Sequence, residues 1–246
     1  MTDFPGTFLD RAGLNRQHVF ELAALPEDIR SGIAAQPGET QLILLGHGGR
    51  RLWECVQAAG PGGEHPIDDY CIRTVADWFA ACLPGRRYRL LYPGDAPVGL
   101  QALGRLAGWH HASPFMVGID ADWGSWYAYR AVLVADTDFA PSPVVDRSSP
   151  CLDCRRMPCI AACPAGALNG GRFDLDACSD WRLAAHSRCA EGCLARTACP
   201  IGAEHRYADA QIAHSYRQSL AMLRAWREAQ PTGLTPPSAT QPRTTR

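Results

Sequence analysis

Residues 150–168 read PCLDCRRMPCIAACPAGAL, and residues 189–203 read CAEGCLARTACPIGA. Together they bound a 49-residue segment, Cys151 to Cys199, that holds eight of the eleven cysteines. The hexapeptide Ala-Cys-Pro-x-Gly-Ala occurs twice, at Ala162–Ala167 and Ala198–Ala203, with the copies 36 residues apart. The segment is therefore a degenerate internal duplication. Each Cys-Pro step predicts the end of a loop and the start of a short helix, because proline fixes φ and suits the first helical turn. Eight thiolates make two sets of four, a number that two cubane [4Fe–4S] clusters or two tetrahedral zinc sites require. A disulfide framework is the third use of such cysteines, but it belongs to small secreted chains.

The duplicated Cys-Pro favours iron and sulfide over the other two. In two-cluster bacterial ferredoxins the cysteine before proline ligates the other cluster. Applied here, one cluster takes Cys151, Cys154, Cys159 and Cys199, and the second takes Cys163, Cys178, Cys189 and Cys193. The spacing departs from the bacterial run in two places. Four residues, Arg155 to Pro158, separate Cys154 from Cys159 where that run has two, and the intervals in the second half are 10, 3 and 5.

Working outward, the 246 residues are 46% hydrophobic, enough for a full core in one large domain or two. Net charge is −1, which marks neither a nucleic-acid partner nor a membrane surface. All 24 basic residues are arginine. The absence of lysine excludes Schiff-base chemistry and a P-loop. The start, MTDFPGTFLDRAGLN, has no cationic end leading into an apolar core, and no apolar run reaches about 18 residues. A cytoplasmic location with no membrane association is expected, and it suits thiolates kept for metal.

Upstream of the cysteines, Val19–Ile33 reads as a helical stretch broken by Pro26. The continuous apolar run Gln41–Leu45 reads as a buried strand. It enters Gly46-His47-Gly48-Gly49 and then a helix over Arg50–Ala59. His47 is a weak candidate metal or axial ligand, since a lone histidine is more often structural. A helix from Asp68 or Asp69 to Leu83 carries Cys71 and Cys82 beside an apolar stripe, which makes both core thiols. Arg87–Tyr92 reads as a strand, Val98–Leu106 as a helix and Trp126–Val134 as a strand. Between them Gly108–Ala135 is dense in aromatics, as core packing or as a wall for a planar cofactor. A linker at Pro141-Ser142-Pro143, a helix over Glu204–Glu228 and a disordered tail from Gln230 complete the chain.

The run LQALGRLAGWHHASPFMVGIDADWGSWYAYRAVLV, followed directly by the cysteine segment with Cys178 after FDLDA, resembles epoxyqueuosine reductase. The earlier stretches QLILLGHGGRRLWECV and HPIDDYCIRTVADWF are similar to the cobalamin-processing protein disturbed in combined methylmalonic aciduria and homocystinuria. The resemblance covers roughly residues 40–205. It implies an α/β (α+β) fold: a nitroreductase-like cobalamin-binding domain over 1–145 and a double [4Fe–4S] ferredoxin-like module over 146–210. A C-terminal helix and tail occupy 211–246.

The same resemblance implies cobalamin as a cofactor beside the two clusters, with flavin as the alternative occupant. Ser113, Pro114, Phe115, Met116, Val117, Gly124, Ser125 and Trp126 are then the candidate wall of the ring's pocket. No histidine among His47, His110 and His111 is expected on cobalt. The reductase family's Asp-Thr-Gly-Pro segment matches Gly94-Asp95-Ala96-Pro97, which makes Asp95, one residue out of register, the candidate proton donor. The expected activity is single-electron transfer from the clusters to a corrinoid, refilled by an external donor such as a flavodoxin or a ferredoxin reductase. The alternatives are a non-catalytic ferredoxin or cobalamin carrier, and an epoxyqueuosine reductase acting on tRNA. The family's tRNA-binding helical-repeat domain finds no room here, and a neutral, lysine-free chain suits a polyanion poorly.

Overall fold

The computed structural model describes residues 2–144 and 146–229. In chain order the main elements are α1 (Gly6–Arg11), β1 (Arg16–Glu21), α2 (Glu27–Ile33), β2 (Gln41–Gly48), α3 (Arg51–Ala58) and α4 (Pro66–Cys82). They continue with β3 (Tyr88–Tyr92), α5 (Leu100–Leu106), β4 (Tyr127–Ala135), α6 (Pro158–Ala161), α7 (Leu175–Leu183), α8 (Leu194–Ala198) and α9 (Asp209–Ala229). The result is a mixed α/β architecture around one antiparallel sheet of order β1-β2-β4-β3.

The apolar run in β2 decides the layering. Leu42, Ile43, Leu44 and Leu45 are all fully buried, so the strand is covered on both faces. Side chains alternate across a strand. Ile43 and Leu45 accordingly join Val19, Leu133, Val75 and Trp78 under α1, α3 and α4. Leu42 and Leu44 join Phe20, Val132, Val134 and Leu103 under α2 and α5. Each such aliphatic side chain contributes about 1.5–3 kcal/mol by leaving water, so the central strands hold the helices of both layers. Cys71 lies in the first of these cores and Cys82 packs against it, as their helical stripe predicts.

One expectation is corrected. Val19–Ile33 is not a helix: Val19 and Phe20 sit in β1, Leu22–Ala24 form a 3₁₀ turn, and only Glu27–Ile33 is α-helical. Val19 pairs with Ile43 and Phe20 with Leu42 in the β1–β2 ladder. Tertiary pairing with a strand that is already buried overrides the local helical pattern. The tail from Gln230 lies outside the described residues. Among the described residues no helix is long and apolar enough to cross a membrane.

Candidate metal centre

The duplicated hexapeptides fold alike. Gly166 and Gly202, the fifth residue of each, both take left-handed φ, +63° and +62°. Each closes the turn that its Cys-Pro opens, a conformation that glycine adopts without steric penalty, so each Cys-Pro step follows a helix and opens a turn rather than starting a helix as expected. In the first half Pro158 starts α6 and Cys159 follows it within the helix. In the second half Cys193 caps α8, its Sγ accepting from the Arg196 amide at 3.4 Å, and Cys199 closes the same helix. Helix α6 packs directly on α8, bringing the two halves face to face. Asp174 accepts from the Ala177 amide at 2.9 Å and so starts α7, which carries Cys178.

Two cavities lie in this region. One, of about 310 Å³, is lined by Cys163, Cys178, Cys189 and Cys193. The other, nearly closed at about 20 Å³, is lined by Cys151, Cys154, Cys159 and Cys199. The smaller cavity thus takes Cys199 from the second half of the duplication, and the larger takes Cys163 from the first. Phe115 lines both cavities and stands between them.

The electrostatics report the same grouping. Burial pushes the Cys151 thiol up, and Cys199, Cys159 and Cys154 push it further. Burial pushes Cys178 up to about 11 against the pull of Arg182, with Cys193, Cys163 and Cys189 adding to the rise. A thiolate ligand must shed its proton, so bound metal would reverse these shifts. Among the described residues no three His, Cys, Asp or Glu side chains converge closely enough to hold a single metal ion.

The two parts of the chain are joined by a seam that involves Gly124-Ser125-Trp126. Ser125 and Trp126 are fully buried. Arg196 donates from Nε to Ser125 Oγ at 3.2 Å and from a terminal nitrogen to the Ser125 carbonyl at 2.5 Å. Its guanidinium lies 4.4 Å from the Trp126 ring centre and 5.2 Å from that of Tyr207. Tyr207 in turn stacks on His47, which is buried against Arg130 and held well below the usual imidazole range, chiefly by that burial. His110 is also buried, its Nδ1 3.5 Å and 3.4 Å from the hydroxyls of Tyr127 and Tyr129. The His111 backbone bridges to Ile119.

Of the other wall residues, Pro114, Phe115 and Val117 line the cysteine cavities. Pro114 lines the smaller cavity and Val117 the larger. Ser113 Oγ donates to the Val117 carbonyl at 2.5 Å, which closes the loop and leaves Met116 at its tip, 64% exposed. Asp95 sits on the exposed turn between β3 and α5 and lines neither cysteine cavity. Sequence reasoning missed Arg182, Arg196 and Tyr216, all lining the larger cavity. A signal existed for the two arginines: Arg182 follows Cys178 by four residues on α7, and Arg196 follows Cys193 by three.

No family model and no curated protein matches this sequence. Solved structures do. An epoxyqueuosine reductase crystallised with an epoxyqueuosine-modified tRNA-Tyr stem loop superposes with a TM-score of 0.52 at 12% identity. The two chains share a fold. The match covers 84% of this chain and 66% of the reductase, so this chain spans just under two thirds of that protein's length. A catabolic reductive dehalogenase in complex with 3-bromo-4-hydroxybenzoic acid gives 0.46 at 14% identity, over 88% of this chain and 34% of the dehalogenase. The B12-trafficking protein CblC of C. elegans gives 0.42 at 14% identity, over 89% of this chain and 92% of its own. The epoxyqueuosine reductase group named from the sequence motifs is thus among the proteins that share this fold.

Proposed function

We propose that this chain is an iron–sulfur redox protein that holds two [4Fe–4S] clusters and delivers single electrons to a corrinoid. The observation that carries the proposal is the pair of cavities, each lined by four cysteines drawn from both halves of the duplication. Cys151, Cys154, Cys159 and Cys199 would hold one cluster, and Cys163, Cys178, Cys189 and Cys193 the other. When bound, the clusters supply one-electron steps at low potential and the corrinoid supplies a reducible cobalt centre.

The chain's own contribution is burial, orientation and exclusion of water. Phe115, itself buried, contributes its aromatic ring to the walls of both cavities. The Cys193 thiolate is oriented by the Arg196 amide, and hydrogen bonds of this kind to sulfur are among the levers on cluster potential. Ser113 to Val117 form the proposed edge of the corrinoid site, with the exposed Met116 offering an apolar contact and Gly124-Ser125-Trp126 bracing the loop's neighbourhood from behind. Asp95 is the acid this reading offers for a proton that accompanies an electron, from an exposed turn that a docked substrate would cover.

The test is spectroscopic. Protein purified without oxygen and reduced is titrated with cobalamin, and the corrinoid absorbance is followed. The reading expects reduction of cobalt in step with loss of reduced-cluster signal, and a Phe115→Asp variant to lose the coupling. Loaded protein that leaves cobalamin oxidised and unbound would favour a ferredoxin acting on another acceptor.

A further inference from the structure

The two cysteine cavities differ in charge. The larger is lined by Arg182 and Arg196 together with Ser215, Tyr216 and Ser219. The smaller, apart from its cysteines, is lined by prolines, Phe115, Ile119, Met157 and Ile201. Arg182 is fixed in place: Nε donates to the Cys189 carbonyl at 3.3 Å, and its terminal nitrogens reach Ser219 Oγ at 3.2 Å and the Tyr216 carbonyl at 3.3 Å. Arg196 is 8% exposed and fixed by Ser125 and the Trp126 ring. Among the described residues neither guanidinium has a carboxylate partner, so their charge is not cancelled locally. The acids nearest in sequence, Asp180 for Arg182 and Glu191 for Arg196, are exposed and paired with Arg227 and Arg217. Asp153, Arg155 and Arg156, beside the smaller cavity in sequence, are exposed. Water and salt screen charges of that kind.

Reducing a thiolate-bound cluster adds a negative charge to a centre that is already anionic. A buried cation nearby favours the reduced state, and an apolar, dry surround opposes it. We propose that Arg182 and Arg196 make the cluster of Cys163, Cys178, Cys189 and Cys193 the more easily reduced of the two. Electrons then run one way. One electron leaves the reduced cluster of the Cys151 quartet and one is gained by the cluster of the Cys178 quartet. A low-potential one-electron donor of the flavodoxin or ferredoxin class refills the first. The proposal rests on the two-cluster reading above and adds an order to it.

The experiment is an anaerobic redox titration of the loaded full-length chain, followed by electron paramagnetic resonance, with iron and sulfide assayed on the same sample. Wild type should show two components at different potentials. Arg182→Gln should lower the upper one, cutting its ratio of reduced to oxidised cluster at a fixed ambient potential about tenfold, which is about 59 mV for a one-electron couple. The lower component should stay put, and Arg182→Lys should restore the upper one. Met157→Arg, at a position 41% exposed beside the smaller cavity, should raise the lower component instead. If Arg182→Gln loads poorly, Met157→Arg decides alone. Coincident components in fully loaded wild type, or an Arg182→Gln effect on the lower component, would overturn the order while leaving the clusters standing. Wild type without iron and sulfide would overturn both.

Discussion

Gly124 and Gly202 meet backbone to backbone. A Cβ on Gly124 would fall 1.9 Å from the Ile201 carbonyl oxygen, and one on Gly202 would fall 2.4 Å from the Trp123 carbonyl carbon. Both residues hold left-handed φ, +58° and +62°. The turn that opens β4 and the turn that closes the second Cys-Pro unit are thus pressed together with no room for a side chain. The cysteine-rich segment is set against the sheet at this point.

Gly124→Ala should therefore separate the two turns and destabilise the chain by about 3 kcal/mol or more, since it combines a backbone clash with strained φ. Thermal unfolding of the loaded protein checks this. A Gly60→Ala control also has positive φ but meets nothing within 4 Å, so it should cost much less. Equal losses in the two variants would mean that φ strain, not the close approach, is responsible.

Arg196 locks the same seam through a side chain. Arg196→Lys keeps the charge but cannot reproduce two hydrogen bonds to Ser125 and a flat contact with Trp126. The expected cost is about 2–4 kcal/mol for either Arg196→Lys or Arg196→Met, because a buried, hydrogen-bonded cation is involved. Full rescue by lysine in chemical denaturation would reduce the seam to a matter of charge.

The crossed grouping makes a distinct prediction. Cys199→Ala should halve iron and sulfide to about four of each per chain, losing the cluster of Cys151, Cys154 and Cys159 and sparing the other. Cys163→Ala should do the converse, and electron paramagnetic resonance of the reduced variants tells the two apart. Loss of the same signal in both variants would mean that each half of the duplication holds its own cluster.

His18 gives a pH dependence. Burial, against Phe20 and Trp109, lowers its pKa from 6.5 to about 4. The unfolded chain then binds the extra proton at higher pH than the folded one, so the stabilisation from neutral His18 is present above pH 6.5. It is lost as pH falls toward 4. Allowing for screening, about 1–2 kcal/mol is at stake. His18→Phe should flatten the difference in unfolding free energy across that window. An unchanged slope would assign the acid sensitivity elsewhere.

What the sequence disclosed follows from locality. QLILL betrays β2 because a strand buried on both faces needs an unbroken apolar run, and the cysteines that line the two cavities all fall within one 49-residue repeated segment. Val19 and Phe20 misled because their strand exists only through pairing with Ile43 and Leu42, more than twenty residues on. The seam was invisible for the same reason: Ser125 and Arg196 are 71 residues apart, and nothing near either one announces the other. Ser125 and Trp126 belong to the expected cofactor wall, and the fold buries both against Arg196.

The most direct measurement of the central claim is iron and acid-labile sulfide per chain in protein purified without oxygen. The account predicts about eight of each, as two cubanes require. Zinc bound in the same preparation, with no labile sulfide, would contradict it.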